Sequence, residues 1–234
     1  MAAVKKAVPA KKAVPAKKAT AKPTALGGDV SNAGSMMIEM DVPYTVHVRI
    51  VGTAAILFHR WQSDAVEAKA KAAKGSAAKK TDDVESYVWR DENGVICIPG
   101  PYLIGSIANK KDGAAKFRQD PRSSRKSALD LFRAGVVATT ELAPLITAEG
   151  DKAEAWDYID RRRVVVQGAV TRERPAFLAG WSAEFDLAVL LPQYIPPTLL
   201  HDVLTDAGRL VGLADHRPTY GRFQIAHFEV LQES

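Results

Sequence analysis

A chain of 234 residues with 47% hydrophobic content fits one domain with additions and can bury a substantial core. No apolar run approaches the roughly 20 residues needed to cross a bilayer. No apolar stretch follows Lys5 and Lys6 as it would in a secretory leader, and the single cysteine, Cys97, excludes an intramolecular disulfide or a cysteine zinc cluster. The expectation is a soluble cytoplasmic protein with no membrane partner, no metal and no cofactor. The net charge of +5 belongs to the N-terminus. Residues 1–28 hold seven lysines and no acidic residue, so residues 29–234 carry −2, and basicity of the whole chain says nothing about what the folded body binds.

In chain order, Lys5-Lys-Ala-Val-Pro-Ala10 recurs as Lys11-Lys-Ala-Val-Pro-Ala16, and a third copy starts at Lys17. Proline every six residues forbids a continuous helix and there is almost nothing to bury, so residues 1–40 read as a disordered Lys/Ala/Pro-rich tail and linker. Such a polycation touches phosphates without sequence preference, or serves as a solubilising tether. The folded domain is expected over 41–234. In Tyr44–Gly52, Val46, Val48 and Ile50 alternate with Thr45, His47 and Arg49, the pattern of a half-buried strand that runs on toward Leu57. His59-Arg60-Trp61 follows as a basic-aromatic cluster suited to stacking a base and pairing a phosphate; the competing reading of Trp61 is a core residue opening a helix. Gln62–Lys80 reads as a helix with an alanine face that projects from the body. Ser86–Arg90 and Gly94–Ile98 flank Asp91-Glu-Asn-Gly94 as a hairpin, with Cys97 a small core residue.

Pro101 opens a helix carrying Leu103, Ile104 and Ile107. Lys110, Lys111, Lys116, Arg118, Arg122, Arg125 and Lys126, opposed only by Asp112 and Asp120, then make the most basic stretch of the body. A helix is expected from Ser124 to Gly135 and a strand over Val136–Leu142. The acidic stretch Glu149–Asp160 and the basic Arg161-Arg162-Arg163 are able to neutralise each other, and extended chain follows through Arg172 to Pro175. Trp181–Leu191 is a strand with Trp181, Ala183, Phe185, Leu187, Val189 and Leu191 on one face. A helix from Pro197 carries Leu199, Leu200, Val203, Leu204, Ala207 and Val211. A Gly-bounded loop holding His216, Arg217, Pro218 and Tyr220 and closed by Gly221-Arg222 is a place to hold a phosphate or a base. It leads into a last strand, Tyr220–Leu231, whose apolar residues lie on both faces, as in a central strand.

Setting aside insertions at about 53–98 and 143–178, each too long for an ordinary connection, the order is strand, helix, strand, strand, helix, strand. That is the split βαβ of an α+β, ferredoxin-like (RRM-like) core.

Three segments of this order resemble the RAMP superfamily, the ferredoxin-like RNA-binding subunits of CRISPR effector complexes, and its backbone subunit in particular. Ile98-Pro-Gly-Pro-Tyr-Leu-Ile-Gly105 is similar to that family's I-P-G-S-S-L-K-G helix start. Tyr158-Ile-Asp-Arg161 with Gly168-Ala169 and Arg172 is similar to its I-D-R-x-T-G-x-A segment. Thr219-Tyr-Gly-Arg-Phe223 is similar to the end of its glycine-rich loop. Pro101-Tyr102 stands where the family has two serines, Ile104 where it has a basic residue, and Leu213-Ala-Asp-His-Arg-Pro218 where it has glycines, so His216 and Arg217 take over contacts that backbone amides make elsewhere.

The resemblance implies a non-catalytic protein that binds single-stranded RNA, or DNA, and self-associates along the strand, as a CRISPR component or a stand-alone relative in a phage or mobile element. Arg60, Trp61, Lys110, Lys111, Lys116, Arg118, Arg161, Arg162, Arg163, Arg172, His216, Arg217, Tyr220, Gly221 and Arg222 are the expected contact residues. Two other readings stay open. One is an endoribonuclease with His47, His59 or His216 as general base and Asp64 as carboxylate. The other is a structural oligomer whose lysine tail alone touches nucleic acid.

Overall fold

The computed structural model describes residues 42–71, 73, 83–165 and 169–231. The tail expected over 1–40 and most of the far half of the helix expected over 62–80 lie outside them. In chain order the elements begin with β1 (Tyr44–Gly52), β2 (Ile56–Leu57), α1 (Ser63–Lys71), β3 (Trp89–Arg90), β4 (Ile96–Pro99) and α2 (Gly100–Ala108). Next come β5 (Gln119–Asp120), β6 (Ser123–Ser127), α3 (Leu129–Gly135), β7 (Val136–Ala138) and β8 (Leu142–Pro144). The chain ends with β9 (Tyr158–Val165), β10 (Ala169–Phe177), β11 (Ser182–Val189), α4 (Pro197–Asp206) and β12 (Phe223–Leu231). The protein is α+β, and its sheets are antiparallel.

β1 buries Tyr44, Val46, Val48 and Ile50 and turns Thr45, His47 and Arg49 the other way, because successive side chains of a strand point to opposite faces. It lies inside a four-stranded sheet of order β12-β1-β11-β7. Phe185, Leu187 and Val189 of β11 share its buried face, as the alternation through that strand requires. Leu103 and Ile107 of α2, Phe132 of α3, and Leu200, Val203 and Leu204 of α4 join the same core. Helices therefore cover one face and leave the other open. Burying a large apolar side chain stabilises by about 1.5–3 kcal/mol, and Trp181, Phe132 and Phe185 are fully enclosed. Trp181 also satisfies its indole N–H on the carbonyl of Ala54 at 2.9 Å.

Among the described residues there are three further sheets. β2-β10-β9 and β3-β4-β8 join the two long excursions to one another: Ile56–Leu57 pairs with Ala176–Phe177, and Cys97–Pro99 with Leu142–Pro144. β5 and β6 form a two-stranded ribbon.

Several sequence expectations need correction. The strand expected to run on to Leu57 bends at Thr53 and Ala54, and Ile56-Leu57 joins β10 instead. Ser123–Ser127 is ribbon, not the first turns of a helix. Ser-Ser-Arg-Lys-Ser offers no apolar side chain at helical spacing, and α3 begins only at Leu129. The stretch Val136–Leu142 divides between β7 and β8, which serve different sheets. The last strand is at an edge, not central. Its register shifts against Arg49 and Ile50, so that Ile225 faces Ile50, Phe228 faces Val48 and Val230 faces Val46. Ala226 is the extra residue of a bulge. Apolar residues of both parities thus end up on the core face, because one additional residue reverses the alternation.

Candidate nucleic-acid interface

The loop between α4 and β12 is fixed by its own backbone. α4 continues into a π-helical turn over Ala207–Val211, and Ala214 (φ 58°), His216 (φ 60°) and Gly221 (φ 71°) are left-handed. At Gly221 a Cβ would lie 2.0 Å from the Leu213 carbonyl oxygen, so only glycine lets the two ends of the loop meet. There the Leu213 N–H donates to the Gly221 carbonyl at 2.8 Å, the Gly221 N–H to Ala55 at 2.7 Å and the Asp215 N–H to Leu57 at 3.0 Å. The peptide between Arg217 and Pro218 is cis.

The β9–β10 hairpin presents an arginine face to this loop. Its register sets Arg162 opposite Arg172 and Asp160 opposite Arg174, all on one face. Like charges directly opposite are destabilising unless anions separate them, and each arginine has found its own partner. Arg162 binds Asp160 at 2.8 Å, lies 4.6 Å over the Tyr220 ring and donates to the Tyr220 hydroxyl. Arg172 meets the His59 ring nitrogen at 3.0 Å. Arg174, 5% exposed, binds Asp215 at 2.5 Å, and its buried Nη1 has no hydrogen-bond partner among the described residues. Burial pushes the Asp215 carboxyl up, but the Arg174 hydrogen bond and charge outweigh it and hold the group below its ordinary value. The pair with Asp215 balances the Arg174 charge, and the unpartnered Nη1 is a cost of burying the guanidinium.

Beside this face a cleft of about 230 Å³ opens between α2 and the loop, lined by His59, Pro101, Tyr102, Gly105, Asp215 and Arg217. Arg217 reaches across to Asp112 at 3.2 Å. Gly105 sits inside α2, where glycine costs about 0.5–1 kcal/mol relative to alanine. Apart from its chain neighbours and the backbone of its own helix, no heavy atom of the described residues lies within 4 Å of the Cβ it lacks. Packing does not require glycine here. Its missing side chain leaves a bare helix surface facing the cleft.

The remaining expected contacts are distributed unevenly. Arg60 is stacked 3.7 Å from the Trp89 ring centroid, and Trp61, two residues on from His59 in the chain, is 73% exposed; the core reading of Trp61 is excluded. Lys110 and Lys111 are exposed on the turn after α2, and Lys116 donates to the Lys111 carbonyl. Arg118 is held by Asp206 at 2.7 Å and Asp202 at 3.0 Å, and Arg161 by Glu173 at 2.8 Å. Arg163 and Arg222 are exposed, and the Arg222 carbonyl accepts from Thr53 at 2.8 Å. His216 tilts against Tyr220 with ring centroids 5.6 Å apart.

His47 is on the opposite side of the molecule, on the open sheet face, with Nδ1 2.7 Å from Asp186. Around it are Glu184, Glu229, Arg49 and His227. Three carboxylates against one arginine make that face a poor surface for a phosphate backbone. Asp64 lies in the first turn of α1. The structure therefore gathers His59, Arg162, Arg172, His216, Arg217 and Tyr220 and leaves His47 apart. Among the described residues no group of three or more His, Cys, Asp or Glu side chains is arranged to hold a metal, and no helix is long and apolar enough to cross a membrane.

Sequence reasoning missed Arg174, Asp112, Asp215 and the bare helix at Gly105. Arg174 was findable, two residues from Arg172 on an extended segment and hence on the same face. The acidic partners come from remote segments and had no local signal.

No family model and no curated protein matches the chain. Among solved structures it is similar to a chain in the cryo-EM structure of the type III-B Cmr-beta bound to cognate target RNA. The two are 13% identical with a TM-score of 0.43, over 82% of this chain and 61% of that one. This chain thus spans about 61% of the length of that neighbour.

Proposed function

We propose that this protein binds a single strand of nucleic acid, without cleaving it, in the cleft between α2 and the loop at 212–222, with the β9–β10 hairpin beside it. The observation that carries the reading is the surface at Gly105, a helix position with no packing reason for glycine that opens onto a cleft walled by Arg217, Tyr102 and His59. Arg162 and Arg172 supply charge beside it, and Tyr220, His216 and Trp61 supply rings, the combination that holds phosphates and stacks bases. RNA rather than DNA, and assembly of copies along the strand, rest on the family resemblance of the three segments. The scaffold we read as a ferredoxin-like core over residues 41–234 with insertions at about 53–98 and 143–178. The support is the order β12-β1-β11-β7 with α2 and α4 on one face, the fourth-first-third-second arrangement of a split βαβ pair.

The test separates the body from the tail. In the full chain with Lys5, Lys6, Lys11, Lys12, Lys17, Lys18 and Lys22 changed to Gln, labelled oligouridine still binds, with affinity that falls steeply as salt rises. Adding Arg217→Ala and Arg222→Ala weakens binding by about tenfold or more. Loss of all binding when the tail lysines are neutralised would sink the proposal in favour of a tail-only contact. Cleavage of the labelled RNA, with or without magnesium, would replace it with a nuclease.

A further inference from the structure

A second surface lies at the corner just past α2. The chain makes a 3₁₀ turn over Ala114–Phe117, anchored by Ala114 and Ala115, both fully buried, and by an N–H bond from Gly113 to the Asn109 carbonyl at 2.8 Å. On this fixed turn the Phe117 ring is 61% exposed. A single exposed ring is ordinary on a protein surface; what sets Phe117 apart is the company it keeps. Next to it, β6 is a strand with no buried residue, only Ser123, Ser124, Arg125, Lys126 and Ser127.

The charge at the corner is unbalanced. Asp120 is taken by Arg122 at 2.7 Å and Asp112 by Arg217. Lys110, Lys111, Lys116, Arg125 and Lys126 make no ion pair among the described residues. The corner also adjoins the cleft, because Asp112, the residue that Arg217 grips, directly follows Lys110 and Lys111 in the chain.

We propose that this corner is a second contact for the same single strand: Phe117 stacks one base, and the five cations around it take the neighbouring phosphates. The inference rests on the reading of the cleft as a single-strand site and lengthens its footprint. A protein partner of ordinary affinity buries roughly 800 Å² per side around a cluster of apolar anchors, whereas the corner offers one ring amid cations. A base with its phosphates needs one ring and several cations.

The experiment compares oligouridines of about six and about eighteen nucleotides, lengths near and beyond the span of one small binding fold. It uses the full chain with its tail lysines neutralised, read by fluorescence anisotropy. Phe117→Ala is expected to weaken the longer strand about tenfold and leave the shorter unchanged, and Phe117→Trp to restore it. Arg125→Ser with Lys126→Ser is expected to flatten the salt dependence for the longer strand by about one to two phosphates. Full affinity of Phe117→Ala for the longer strand overturns the proposal, even if the corner proves to hold an acidic protein. So does a loss that appears equally with the short strand. The cleft reading fails separately, when Gly105→Leu leaves the shorter strand bound as before.

Discussion

At Gly105 one side chain's absence separates folding from binding. Gly105→Leu adds a good helix former where nothing obstructs it, so the protein should gain roughly 0.5–1 kcal/mol in urea unfolding. The same side chain projects into the cleft and should weaken oligonucleotide binding about tenfold. A drop in stability would show that the glycine is there for packing. Asp112 is the complementary case. It neutralises Arg217 across the cleft at 3.2 Å, and an exposed pair of this kind is worth about 0.2–1 kcal/mol. Asp112→Asn should therefore tighten binding about two- to fivefold, measured in the same titration. Asp120 makes a pH prediction. The paired hydrogen bonds of Arg122 hold its carboxyl at about 2, below the ordinary 3.8. A carboxyl lowered by folding stabilises fully above the ordinary value, and its contribution disappears as pH falls through the lowered one. The stability gap between the native protein and Asp120→Asn should be constant above about pH 5 and close between about pH 5 and 1. A gap that persists at the acid end would show that the pair acts through shape and not charge.

At the scale of elements, the sequence is most legible where period and burial agree. β1, β11 and α4 were all readable, because Val46-x-Val48-x-Ile50, Ala183-x-Phe185-x-Leu187-x-Val189 and the stripe from Leu200 to Val211 each follow a single period. β6 was not, since an all-polar ribbon has no period to read. β12 was found but misplaced, because the bulge at Ala226 makes one buried face look like two. That gives a sharp expectation. Deleting Ala226 should remove the bulge and still leave Ile225, Phe228 and Val230 opposite Ile50, Val48 and Val46, at a cost of about 1 kcal/mol or less. Collapse of the thermal transition on deletion would mean the bulge itself is required. The site was half legible for a related reason. Basic and aromatic residues clustered along the chain, as at Arg161–Arg163 and His216–Tyr220, are visible in one dimension. The carboxylates that hold them come from other segments and become visible only in three.

At the scale of the molecule, charge is divided by face. On the loop side Arg162, Arg174 and Arg217 are each matched by a carboxylate, whereas the open sheet side holds Glu184, Asp186 and Glu229 with one arginine among them. A charge-reversing pair such as Glu184→Lys with Glu229→Lys should leave specific binding within about threefold, because that face lies outside the site, and a large gain or loss would redraw the interface. The cross-pairing of the two excursions has a consequence for biosynthesis. β2 waits for β10 and β4 waits for β8, so a nascent chain that has emerged as far as residue 100 displays strand edges whose partners have not yet emerged. Contacts this distant in sequence form slowly. Stalled or truncated chains ending before residue 177 should therefore be caught by chaperones or aggregate, while any relative with both excursions trimmed would escape that interval altogether.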